Sequence, residues 1–242
     1  ICGKADCGAP QEAPSADLVF LLADAPGGPA DEWAANPASM LGGSAGCFGR
    51  VWLRHANLSK EQQHYIGGWD NTGPNHLFHN ILDDDELHSR YDFVFWMETD
   101  VLPIAPRWLR RLEEEARAPR GFWRKGPLQQ PTLRHSMVST HHYHMNSVGL
   151  YRLNQPCYRE LLRRVSAESG DAPHDVSTHL FLHDPRNFHI FQHVAHRFLY
   201  TDFVQNRLDE WSFASIRQVS ADTAFVHGKT FADDVRRARQ LP

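Results

Sequence analysis

The chain has no apolar stretch long enough to span a bilayer. Its longest strongly apolar run is LVFLLA, Leu18 to Ala23, where a spanning helix needs about 20 residues. It has no excess of positive charge either. Against 29 Asp and Glu stand 25 Lys and Arg, a net charge of -4, which gives neither the basic field of a nucleic-acid binder nor a polybasic membrane patch. No CxxC occurs, which argues against a zinc ribbon. No HExxH occurs, so a zinc-protease reading has no general base. There is no internal repeat and no low-complexity tract.

Cysteine is scarce but even in number: Cys2, Cys7, Cys47 and Cys157. Four cysteines allow three pairings, and the sequence does not choose among them. Asn57-Leu58-Ser59 fits an N-glycosylation sequon. The same Ser59 also reads as an N-cap, with Gln62 completing a capping box. Disulfides and a glycan together predict a secretory lumen, Golgi or ER. The chain begins at Ile1 rather than Met, which leaves room for a signal or membrane anchor ahead of it.

What is present suits a packed protein. The 242 residues are 41% hydrophobic and 22% charged, in the range of one large α/β domain. Residues 1–16 read as an irregular arm and residues 17–242 as a single domain. Strands are expected at Asp17 to Asp24, Gly49 to His55, Tyr91 to Asp100, His141 to Leu153 and Thr223 to Lys229. Helices are expected between them. One starts at Gly73-Pro74-Asn75, with Leu77, Phe78, Ile81 and Leu82 on one face. It runs out in Asp83 to Glu86, read as a solvated end. Another carries Leu109, Leu112 and Ala116. A third is capped by Asn154, buries Cys157, Leu161 and Val165, and stops at Gly170. "DVSTHLFLHD" is a further helix, and a basic-acidic helix ends the chain. Strands alternating with helices predict a mostly parallel central sheet flanked by helices.

The stretch YDFVFWMETD, Tyr91 to Asp100, carries the chemistry. A continuous apolar run is what a strand buried on both faces looks like. In open α/β sheets, ligands sit beyond the carboxyl ends of strands. Glu98 and Asp100, one residue apart, fall there and point to one side. Two close carboxylates repel, and a divalent cation with oxygen preference, Mg²⁺ or Mn²⁺, relieves that. The plain alternative is a strand end capped by water and backbone NH groups.

The segment FVFWMETDVLPIAPRWL resembles the stretch around the DxD motif of GT-A-fold (Rossmann-like) glycosyltransferases. HMNSVGLYRL is similar to that family's N-x-G-hydrophobic strand, and FVHGK to its C-terminal histidine segment. The resemblance implies a glycosyltransferase. Glu98, Asp100 and His227 would hold Mn²⁺ or Mg²⁺, here through Glu-x-Asp rather than Asp-x-Asp. Asn146 and Gly149 would face the donor sugar or acceptor, and Lys229 a phosphate oxygen. Asp175, with His174 beside it, would be the residue near the acceptor and the candidate base. The implied donor is a nucleotide-diphosphate sugar and the implied acceptor a glycan or glycoprotein. Asn75 at its helix start could meet the nucleotide through free backbone NH groups. Trp96 or Trp69 could stack on a sugar or base. The alternatives are a catalytically silent GT-A-like module and a His-rich metal-dependent hydrolase. The second draws on the 16 histidines, among them His142, His144, His189, His193 and His196.

Overall fold

The structure is a computed structural model that describes residues 16–27, 36–64, 72–128, 144–170, 172–207 and 211–228. Cys2, Cys7, Trp69, His142, Lys229 and the C-terminal helix lie outside these residues. Where the sequence suggests one domain, the described residues group into two compact units, residues 16–85 with 172–173, and residues 86–170 with 174–228. Among them no helix is long and apolar enough to cross a membrane.

The first unit is a parallel pair of strands, β1 (Leu18–Leu22) and β2 (Val51–His55). Between them runs the 3-10 segment Pro37–Cys47. Helix α1 (Thr72–Leu82) follows and buries Phe78, Ile81 and Leu82, the face its spacing predicts. The acidic run after it is not simply solvated. Asp84 is buried and ion-paired to Arg54, because a carboxylate taken out of water needs a partner. Ser59 and Gln62 do exchange capping-box hydrogen bonds, at 2.9 and 3.2 Å, yet only a turn follows. Asn57 is exposed in the left-handed region at φ 52°. Cys47 is disulfide-bonded.

The second unit holds two sheets. In the four-stranded sheet the order is β3 (Phe93–Trp96), β6 (Gly149–Arg152), β5 (Arg124–Gly126), β7 (Phe198–Tyr200). In the three-stranded sheet it is β4 (Val101–Pro103), β9 (Phe225–His227), β8 (Val204–Asn206). Pairs β5–β7 and β8–β9 are parallel, whereas β3–β6, β5–β6 and β4–β9 are antiparallel. The fold is therefore mixed α/β with mixed sheets, not one mostly parallel sheet. Strand β3 is half-buried along its length rather than buried on both faces.

The three-stranded sheet is covered on both sides. Val101, Val204 and Phe225 join Val148 and Phe203 in one cluster, against which Phe95 and Trp108 pack. Leu102 and Val226 face the other way, onto Trp211 and Ile216. The alternation along Phe225-Val226-His227 thus sends His227 to the Phe225 side. Around the sheets lie α2 (Asp85–Arg90), α3 (Trp108–Ala116), α4 (Pro156–Ser169), α5 (His174–His183), α6 (Phe188–Val194) and α7 (Phe213–Val219). Helix α4 buries Tyr158, Leu161, Leu162 and Val165, while Cys157 is an exposed free thiol. The larger tyrosine takes the core-facing position one residue on. Asn154 does not cap this helix. Its amide donates to Asp92, and Gln155 stands at the cap without a side-chain bond.

Candidate metal centre

Strand β3 ends at Trp96, and the chain turns before β4 begins at Val101. The amide of Val101 donates to the carbonyl of Glu98 at 3.1 Å, which closes the turn. Antiparallel pairing sets Val101 opposite His227, and the amide of Gly228 donates to the carbonyl of Asp100 at 3.3 Å. Register alone therefore delivers His227 beside the acidic pair. Its Nε2 lies 3.1 Å from Asp100 Oδ1 and 3.3 Å from Glu98 Oε2. One ligand atom from each of the three residues falls within 4.8 Å of the others. Two carboxylate oxygens and an imidazole are a donor set that a divalent ion such as Mn²⁺ accepts.

Burial would push the His227 pKa down, but hydrogen bonds to Asp100 and Glu98, with their charges, outweigh it and raise it to about 9. The protonated ring thus stands where a cation would. A raised folded value stabilises the metal-free protein fully below the ordinary value of 6.5, and that contribution is lost as pH rises through about 9. Urea midpoints of metal-free protein should accordingly fall between those two values, in part through this group. Mn²⁺ should bind more tightly across the same interval, because the proton competes with it. A Mn²⁺ affinity that does not change over that interval would contradict the assignment.

Behind the cluster lies a buried polar network. Ser147 donates its hydroxyl to Glu98 Oε1, and its amide donates to Asp175 Oδ2 at 3.0 Å. Tyr151 donates to the Ser147 carbonyl and lies 3.4 Å from Nε2 of His174. The Asp175 carboxylate also meets His144 Nε2 at 3.3 Å and the Val176 amide at 2.8 Å. Burial alone would raise the Asp175 pKa. The hydrogen bond from His144 and the charges of His174, His144 and Arg124 hold it instead well below the usual carboxylate range. Arg124, itself fully buried, donates to the carbonyls of Met145 and Asn146 at 2.9 and 2.6 Å and lies over the Tyr151 ring. Met145 makes one antiparallel bridge to Leu128, and these side-chain bonds shape the turn that follows, so among the described residues the strand expected from His141 becomes continuous only at Gly149.

The structure thus groups Glu98, Asp100 and His227 directly and ties Asp175 to Glu98 through Ser147. Asn146 is buried, and its Oδ1 accepts from the Val148 amide at 3.2 Å, shaping its own turn. At Gly149 a Cβ would fall 2.6 Å from the Lys125 carbonyl oxygen, so close strand packing explains the glycine without a ligand. Trp96 pairs with Gly149 at the end of β3. Asn75 belongs to the other unit, buried in α1. His189, His193 and His196 are exposed, and among the described residues no second group of three candidate ligands forms. Sequence reasoning missed Ser147, Arg124 and Tyr151. Only Arg124 left a trace, as a charge inside a short strand.

No family model, curated protein or solved structure matches the chain. The chain has a mixed α/β fold with a two-carboxylate, one-histidine cluster at the junction of its two larger sheets.

Proposed function

We propose that the chain is a glycosyltransferase that moves a sugar from a nucleotide-diphosphate donor to a hydroxyl of a glycan or glycoprotein, on a GT-A-like scaffold. Glu98, Asp100 and His227 hold Mn²⁺ or Mg²⁺. The observation that carries this reading is the meeting of the acidic pair with a histidine from a distant part of the chain, at 3.1 and 3.3 Å. A cation bound there supplies Lewis-acid stabilisation of the diphosphate leaving group.

Within this reading Ser147 fixes the Glu98 carboxylate, and Asp175 fixes Ser147. With both oxygens engaged and its carboxyl held strongly acidic, Asp175 is a poor proton acceptor. A retaining route, in which the departing phosphate takes the acceptor's proton, needs no base from this chain. The same commitment of Asp175 favours a second reading, a GT-A-like module that binds without turnover. The oxidised Cys47 and the exposed sequon at Asn57 support a Golgi or ER lumen.

A thermal-shift series with nucleoside diphosphates, with and without Mn²⁺, tests the reading. Ligands that bind only the native state raise its melting temperature, and nucleotides should do so only when Mn²⁺ is present. No shift with any nucleotide would overturn it. Turnover of a nucleotide sugar then separates the enzyme from the silent module.

A further inference from the structure

Three buried polar atoms without a hydrogen-bond partner belong to two register partners on neighbouring strands: Nδ1 of His227, and Oδ1 and Nδ2 of Asn206. Asn206 is 1% exposed and His227 8%, so bulk water does not serve them. Strands β8 and β9 run parallel with Asn206 in register with His227. Register partners on parallel strands leave the same face, about 4.8 Å apart. The carboxamide atoms and Nδ1 are all two bonds beyond Cβ, so the two side chains have the same reach from neighbouring backbone positions. The far nitrogen, Nε2, already faces Glu98 and Asp100.

Each unsatisfied buried group costs about 1–3 kcal/mol, and native proteins leave few of them. A cation on Nε2 places the ring proton on Nδ1 and makes that atom a donor in want of an acceptor. Asn206 Oδ1 is a buried acceptor on the neighbouring strand at the same register. Turning the amide about its Cβ–Cγ bond presents either the oxygen or the nitrogen to the ring. We propose that Asn206 is the positioning residue of this centre, accepting a hydrogen bond from Nδ1 of His227 when Nε2 binds a divalent cation and so fixing the tautomer and the ring plane. The inference rests on the reading of Glu98, Asp100 and His227 as a metal centre.

The test compares Mn²⁺ affinity by titration calorimetry in wild type, Asn206→Leu and Asn206→Asp, with melting temperatures measured metal-free. Leucine keeps approximate volume without polar atoms, so the metal-free melting temperature, read above about pH 9 where the His227 ring is neutral, should hold or rise. Its Mn²⁺ affinity should fall 10- to 100-fold, the usual cost of losing an outer-shell partner. Aspartate keeps the acceptor and should bind Mn²⁺ at least as well as wild type, to within a few-fold. A merely structural role would not separate these variants in binding while leaving stability alone. Equal affinity in wild type and Asn206→Leu overturns the proposal and leaves the metal centre standing. A wild type that binds no Mn²⁺ overturns the centre and this inference with it. Should the leucine variant not fold, wild type with Mg²⁺ decides. Nitrogen NMR should then show His227 as the Nδ1–H tautomer with a slowly exchanging proton, and a fast-exchanging one overturns the proposal.

Discussion

Asp100→Asn should abolish metal-dependent transfer and lower Mn²⁺ affinity by more than about 100-fold, since outer-shell changes alone cost 10- to 100-fold. The substitution is nearly isosteric and deletes one of two charges facing His227, at 3.1 Å. The Asp100 side chain is 27% accessible, so an amide there keeps contact with water, and the fold should persist. The metal-free variant carries a second signature. With one of its two acidic partners gone, His227 loses part of what raises its pKa, and the alkaline loss of stability should begin at lower pH. Calorimetric Mn²⁺ titration and sugar-transfer turnover report the main effect. Wild-type affinity in Asp100→Asn would remove this residue from the centre.

Gly228→Ala should be the most destructive small substitution in the second unit. A Cβ at Gly228 would land on the backbone carbonyl oxygen of Arg207, and a backbone atom cannot swing aside as a side chain does. Two hydrogen bonds depend on that approach. The Arg207 amide donates to the His227 carbonyl at 2.7 Å, and the Gly228 amide donates to Asp100 at 3.3 Å. Making room for the methyl pulls apart the strand end that delivers His227. Overpacking costs typically 1–3 kcal/mol even where side chains can adjust, so a loss of about 3 kcal/mol or more is expected, together with weakened Mn²⁺ binding. Gly43→Ala is the control, because nothing lies within 4 Å of its added Cβ, and it should change stability by less than about 0.5 kcal/mol. Matching urea midpoints for the two variants would show that the close approach at Gly228 carries no energetic weight.

The acidic pair was legible because an apolar run stops at it, a contrast of residue type that survives even though the strand is only half-buried. The helix faces were legible in the same way, as at Phe78, Ile81 and Leu82. Strand direction was not. A run of apolar residues reports that faces are covered, and it carries no mark of which neighbour pairs or which way it runs. That is why the even mixture of parallel and antiparallel pairs replaces the expected parallel sheet. His227 was singled out only through resemblance, because nothing around it foretells that Val101 will pair opposite. One glycine misled for a related reason. Gly149 was expected to face a ligand, whereas the backbone of β5 lies against it. Asp175 could be placed near the centre, but two of its three hydrogen-bond partners, His144 and the Ser147 amide, lie on a loop that the buried Arg124 helps to hold in shape.

The cluster's three side chains belong to segments that end different sheets: Glu98 follows β3 of the four-stranded sheet, whereas Asp100 and His227 flank or end strands of the three-stranded one. Each of β4, β8 and β9 is only three residues long, so few ladder bonds keep that end shut. Local openings span free energies from near zero to the global value, and any opening that frees β9 also scatters the ligands. The persistence of the centre is therefore capped by the fraying of its shortest ladder. A bound ion would act back on the same equilibrium as a rivet through two plates, slowing the separation of both at once.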